Sequence, residues 1–169
     1  MTKAGAERTR RARRYVCMPE LLHEMTYRLR VSGPLAATEG SPTGTREYWE
    51  MTEGTLTGAR INAKIAMPGG DWMLVSADRF ARPEVRVQFI ADDGAVILLH
   101  YTGLVERTVV FRKAAEEGRE TSWADQYMRM SMRFETGADN YCWLNESLFI
   151  AEGRLAGPKQ IEYRIYRVS

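Results

Sequence analysis

Residues 21–31 read Leu21-Leu22-His23-Glu24-Met25-Thr26-Tyr27-Arg28-Leu29-Arg30-Val31. Leu21, His23, Met25, Tyr27, Leu29 and Val31 share one parity, and Leu22, Glu24, Thr26, Arg28 and Arg30 the other. A strand points successive side chains to opposite faces, so this period of two predicts a half-buried β-strand. The pattern recurs downstream. In 59–67, Ala59, Ile61, Ala63, Ile65 and Met67 oppose Arg60, Asn62 and Lys64. In 84–91, Val85, Val87 and Phe89 oppose Glu84, Arg86 and Gln88. In 127–135, Met128, Met130, Met132 and Phe134 oppose Arg129, Ser131, Arg133 and Glu135. Segments 49–56, 95–102, 143–151 and 161–168 complete the set, with a short apolar run at 72–75.

Turn signals separate these segments. Residues 32–45 are rich in Gly, Pro, Ser and Thr and read as a loop. Pro68-Gly69-Gly70-Asp71 reads as a turn between strands, and Asp92-Asp93-Gly94 as a hairpin turn, because Asp-Gly supplies positive φ. Residues 113–126 are polar and read as a helical turn or a flap, and 106–126, with Trp123, as a lid over one barrel end or a solvated loop. Many short strands between turns predict an all-β fold, a single antiparallel β-barrel of about eight to nine strands with a central apolar cavity.

The chain has 169 residues, 44% hydrophobic and 27% charged, which suits one globular domain and excludes a disordered chain. No apolar run is long enough to span a bilayer. The start is basic without an apolar core, so it does not read as a secretory signal. Two cysteines, Cys17 and Cys142, are too few for a disulfide framework, and a cytoplasmic protein is expected. The net charge of +2 divides unevenly. Residues 1–14 carry six basic side chains and one acid, leaving 18 basic against 21 acidic residues in the remainder. We read 1–14 as a disordered basic tail and 15–169 as the barrel domain. The folded domain is therefore not expected to bind nucleic acid or membranes; a homodimer is compatible with the sequence.

No Cys or His pair has metal-ligand spacing, so neither a metal nor a cofactor is expected. There is no Gly-x-Ser-x-Gly elbow, phosphate-binding loop or dinucleotide fingerprint. The positive signal is the apolar faces. Met25, Tyr27, Phe89, Met128, Met130, Met132, Phe134 and Tyr163 either line a pocket or pack an ordinary core, and methionine suits both roles. Tyr101 and His23 share those faces and can donate or shuttle protons, unless they are buried groups satisfied by backbone or water. His100 poses the same choice on the other parity. Glu84 and Arg86 read as a charge pair on a wet outer wall. If the faces reverse near the barrel mouth, Glu84 becomes a buried acid and Arg86 a ligand contact. Glu146 is either a strand-end acid in water or a buried one. Trp72 and Trp143 are candidate stacking walls or core plugs, and Asn145 is an amide that needs partners if buried.

From about Glu20 onward the chain resembles the family filed as domain of unknown function 3237. The resemblance rests on Gly54-Thr55-Leu56-Thr57-Gly58, Pro68-Gly69-Gly70-Asp71-Trp72, Asp92-Asp93-Gly94-Ala95, Arg133-Phe134-Glu135-Thr136-Gly137 and Tyr141-Cys142-Trp143-Leu144-Asn145, in that order. It implies a small antiparallel, calycin-like barrel and carries no function with it. The chain departs from the family pattern at Arg79, Glu84, Val87, Met130 and Met132, changes that imply a retuned pocket or drift. Other small barrels act as cyclases or isomerases on polyketide or terpenoid products, an analogy of fold only. The expected function is a cofactor-independent cyclase, isomerase or lyase acting on an apolar polyketide- or terpenoid-like molecule. The alternative is a carrier or sensor of such a molecule. The expected catalytic residues are Tyr101, His23 and Glu84. The expected substrate contacts are Met25, Tyr27, Trp72, Arg86, Phe89, Met128, Met130, Met132, Phe134, Trp143, Asn145 and Tyr163.

Overall fold

The computed structural model describes residues 18–169; the basic stretch 1–14 and Cys17 lie outside the described residues. Ten strands run in chain order: β1 Leu21–Ser32, β2 Ala37–Ser41, β3 Gly44–Gly58, β4 Ile61–Val75, β5 Phe80–Arg82, β6 Glu84–Ala91, β7 Val96–Glu106, β8 Met128–Glu135, β9 Leu148–Gly157 and β10 Gln160–Val168. Helix α1 spans Val109–Glu117; α2 is the short Cys142–Asn145, entered from a 3₁₀ turn at Asp139–Tyr141.

Eight antiparallel strands close on themselves. β1 pairs with β3, β3 with β4, β4 with β6, β6 with β7, β7 with β8, β8 with β9, β9 with β10, and β10 returns to β1. Closure leaves no edge in the main wall. Two extra strands flank it: β2 forms a hairpin on the start of β3, and β5 bridges the ends of β4 and β7.

Alternation in β6 and β8 is as regular in burial as in sequence, with every second residue buried. The inward residues fill one half of the barrel. Met25, Leu56, Phe89, Ile97, Leu99, Phe134, Phe149 and Ile165 are essentially inaccessible. Phe134 and Phe149 meet edge to face with centroids 5.1 Å apart. Each such side chain contributes about 1.5–3 kcal/mol through burial. Tyr141 and Leu144, from the 3₁₀ turn and α2, join the same core and cap that end.

Three segments differ from the sequence reading. Pro68–Asp71 is not a turn; β4 runs through it to Val75, with register shifts against β6 on either side of Met67. Residues 142–145 are helical rather than extended, and β9 starts only at Leu148. The loop expected over 32–45 contains β2 and the start of β3. The polar region after β7 is helix α1 followed by an irregular segment. Thr108 caps α1 by accepting the Phe111 N–H at 3.0 Å, and Gly118 ends it at φ 65°.

Candidate functional site

At the end opposite α2 the barrel is not filled. A pocket of about 250 Å³ lies there. Trp49 and Met51 of β3, Met73 of β4, Val105 of β7, Met128 of β8, Leu155 of β9 and Ile161 of β10 give it apolar walls. Phe111 and Ala115 of α1 also line it, so α1 lies against the mouth. A dry cavity of about 150 Å³ is enough for benzene, so this space suits a molecule of one or two rings rather than a long chain.

The polar groups of the pocket are few and converge. Asp71 is an inward residue of β4, paired across the sheet with Trp49 on β3 and Val85 on β6; Val85 in turn pairs with Tyr101 on β7. Asp71 and Tyr101 therefore occupy one inward row, two strands apart. Tyr163 on β10 faces Tyr101, ring centroids 5.9 Å apart, and their hydroxyls interact. Tyr27 stacks behind Tyr163 at 6.0 Å, its hydroxyl buried without a hydrogen-bond partner. Glu47 lines the same pocket and accepts the Trp49 indole N–H at 3.0 Å; Arg107, Lys159 and Gln160 add further polar groups.

Asp71 is only 7% exposed. Burial raises its pKa from 3.8 to about 6; the negative charges of Glu47 and Glu84 push the same way, while the Glu84 N–H and Arg46 oppose them. That N–H donates to Asp71 Oδ1 at 2.9 Å and fixes the carboxyl against the wall. Burial likewise pushes the Tyr101 and Tyr163 phenols above their usual range, with the Asp71 charge adding to both. The two phenols thus stay protonated at neutral pH, while Asp71, titrating near 6, is largely a carboxylate there and takes up a proton readily.

The structure brings together only part of the expected site. Tyr101, Tyr163 and Met128 line the pocket. Met25, Tyr27, Phe89, Met130, Met132 and Phe134 point inward but are packed in the solid half or behind the pocket wall. His23 faces out, edge-on to Tyr166 at 5.6 Å, beside a β-bulge at Glu24 that breaks the parity of β1. Glu84 and Arg86 are also outward; Glu84 pairs with Arg46 at 3.5 Å, and only its backbone N–H serves the site. Trp72 lies on the outer wall against Tyr48, centroids 5.2 Å apart. Trp143 belongs to the α2 end, under Arg60 at 3.7 Å. Asn145 is a structural clamp, its amide making bonds of 2.9 and 2.8 Å to the Thr136 backbone. Trp123 covers the outside of β9 and β10 beneath Arg154 and Arg164, so of the expected lid only Arg107 and α1 meet the mouth. Glu146 is exposed.

Sequence reading missed Asp71, Glu47, Arg107 and Lys159 as pocket residues. For Asp71 the signal was present, because Ile61, Ala63, Ile65, Met73 and Asp71 all share odd parity. Among the described residues, no group of three or more His, Cys, Asp or Glu side chains is placed to share a metal ion.

A closed antiparallel barrel, filled at one end and hollow at the other with a buried acid on its wall, defines the class of protein. The family model described as "Protein of unknown function (DUF3237)" matches residues 19–168, and the chain belongs to that family. A UPF0311 protein of Rhodopseudomonas palustris strain TIE-1 is 31% identical over 108 residues, which cover 64% of this chain and 71% of that protein. Among solved structures, a conserved protein of unknown function from R. palustris matches with a TM-score of 0.81 at 23% identity, over 91% of this chain and 100% of that one. A β-barrel-like protein from Acinetobacter baumannii matches at 0.76 and 23% identity, over 93% and 100%. An enzyme from Penicillium herquei shares the fold at 0.66 and 17% identity, over 92% and 98%. At these identities the structural matches establish the fold. No helix of the described residues is long and apolar enough to cross a membrane.

Proposed function

We propose that the protein is an enzyme that moves a proton on a small, largely apolar carbonyl compound, in a cofactor-independent isomerisation, cyclisation or elimination. The observation that carries this reading is the buried Asp71 carboxyl, its pKa raised to about 6, in the same inward row as Tyr101. In this mechanism the Asp71 carboxylate takes a proton from carbon next to the carbonyl. The C–H electron pair becomes the new C=C bond, the carbonyl π pair moves onto oxygen, and the Tyr101–Tyr163 pair donates a hydrogen bond to the resulting enolate oxygen. The protonated Asp71 then returns the proton. Delivery to a different atom isomerises the substrate. If the enolate carbon first attacks a second carbonyl of the same molecule, a ring closes and the proton goes to the new alkoxide. If the Asp71 carboxylate then takes a second α-proton and returns it to the departing hydroxyl, water leaves, a C=C bond forms and the reaction is an elimination.

Polyketide-like molecules fit because a carbonyl next to the reacting carbon makes its proton acidic. The enzyme from P. herquei with the same fold supports catalysis only as an analogy. The walls, Trp49, Phe111 and the aliphatic residues around them, hold the substrate in a reactive shape and exclude water. A carrier is the second reading, favoured by how much of the lining is apolar; it predicts binding without proton transfer.

The test is α-proton exchange of 2-tetralone in D₂O, followed by NMR. The wild type should exchange the α-protons well above the buffer rate, and Asp71→Asn should lose about hundredfold or more. Tyr101→Phe and Tyr163→Phe should each lose about tenfold or more. Binding of 2-tetralone with exchange no faster than buffer supports the carrier and overturns the enzyme.

A further inference from the structure

Two cations border the same pocket, Arg107 directly after β7 and Lys159 in the turn between β9 and β10. Most arginines of this barrel are matched by a carboxylate on the outer wall, as Arg46 is by Glu84, Arg79 by Glu106, Arg129 by Glu152 and Arg154 by Glu120. Of the described cations without an ion pair, which include Arg86, Arg112 and Lys64, Arg107 and Lys159 are the two that line the pocket. Among the described residues neither makes an ion pair, although the pocket they line also holds the carboxylates of Glu47 and Asp71. Two cations without ion-pair partners thus border a pocket whose walls are mostly apolar.

The backbone of Lys159 adds a second observation. It is the only non-glycine residue with positive φ among those described, at 54°. Glycine or asparagine adopts that conformation more readily, so a lysine there trades local comfort for its side chain. The turn is held in place, because the Lys159 carbonyl accepts the Val31 N–H at 2.9 Å. Arg107 is held as well, its N–H donating to the Arg79 carbonyl at 3.1 Å. Both side chains therefore start from fixed backbone at the same end of the barrel, one after β7 and the other between β9 and β10, with only β8 between β7 and β9 in the wall.

We infer that the ligand of this pocket is an amphiphilic organic acid: one or two apolar rings against Trp49, Phe111 and Met128, and a carboxylate at the mouth held by Arg107 and Lys159. The inference rests on the reading of the pocket as the substrate site and specifies what enters it. Asp71 and Glu47 repel an anion from the interior, so the carboxylate stays at the rim and the neutral body points inward. The charges orient the substrate as well as attract it. An arginine offers a planar fork to a carboxylate, and a lysine adds a point charge.

The test compares 2-naphthylacetate with 2-naphthylacetamide, which has the same shape without the charge, by calorimetry. The wild type should bind the acid about tenfold or more tightly than the amide, and the preference should shrink as salt rises. Arg107→Ala and Lys159→Gly should each weaken the acid by about tenfold and leave the amide unchanged; the glycine keeps the turn conformation at ease. Lys159→Arg should retain the preference, and Arg112→Ala, on the exposed face of α1, should not alter it. Equal affinity for the two probes, a preference that survives both charge removals, or binding of neither probe overturns the inference. Its failure is separable from failure of the proton-transfer reading. Asp71→Asn should keep the acid preference while losing about hundredfold or more of 2-tetralone exchange, so the preference and the exchange are read out independently.

Discussion

Asp71 is ionised reluctantly because the wall around it is apolar and Glu47 lies in the same pocket. Its folded pKa is raised, so the protonated form is favoured by folding and the charged form opposes it. The destabilisation is fully present above about pH 6 and vanishes below about pH 4, where the residue is protonated folded or unfolded. The shift corresponds to roughly 3 kcal/mol. Asp71→Asn keeps an oxygen to accept the Glu84 N–H. It should therefore be more stable than the wild type by roughly 2–3 kcal/mol at pH 8, with the gap closing by pH 4 in urea titrations. A gap that is constant with pH contradicts a buried acid at this position. This residue was hidden in the sequence by its neighbours. Pro68-Gly69-Gly70 carries every signal of a turn, yet here the glycines serve close approach of backbones. A Cβ on Gly69 would fall 2.7 Å from Val87 Cβ, and one on Gly70 would fall 2.8 Å from the Tyr48 ring. Glu84, by contrast, drew attention as an alternating acid on a clean strand, and its parity is the outward one.

At the scale of elements, the strands were legible wherever alternation was uninterrupted. β6 starts and ends where the sequence pattern does, and β8 within one residue of it. Misreadings cluster at irregularities that alternation does not report. The bulge at Glu24 turned His23 outward, and the shifts around Met67 hid the length of β4. α2 interrupts what looked like a single strand, because Trp143 and Leu144 mimic strand residues while capping the barrel end. β9 makes a test of how the pocket keeps its volume. Gly153 pairs with Tyr163, and a Cβ there would overlap the Met128 sulfur and the Tyr163 ring. Gly153→Ala should force both side chains toward the pocket. It should cost about 1–3 kcal/mol in denaturant unfolding and weaken 2-tetralone binding at least severalfold. Unchanged stability and affinity would show that the wall yields without using the pocket.

The whole molecule divides its barrel between two tasks. The α2 end is a packed core of Phe89, Phe134, Phe149 and their neighbours, and it supplies the burial that holds the fold. The α1 end keeps a space in which a buried acid, two phenols and two rim cations face each other across strands far apart in sequence. Composition and periodicity reveal the first of these, since a core needs only apolar residues at the right parity. The second depends on register, on which strand ends stop short of filling, and on where α1 comes to lie. Tyr101 and Tyr163 were recognisable as inward phenols, but their meeting with Asp71 follows only from closure of the sheet. The claim on which the rest stands is that this closure creates an acid poised near neutrality. Titration of the Asp71 side-chain carboxyl by ¹³C NMR, assigned with Asp71→Asn, measures it directly. A midpoint near 6 that moves down when Glu47 is changed to Gln is the predicted result. A midpoint at the ordinary aspartate value of about 3.9 contradicts it.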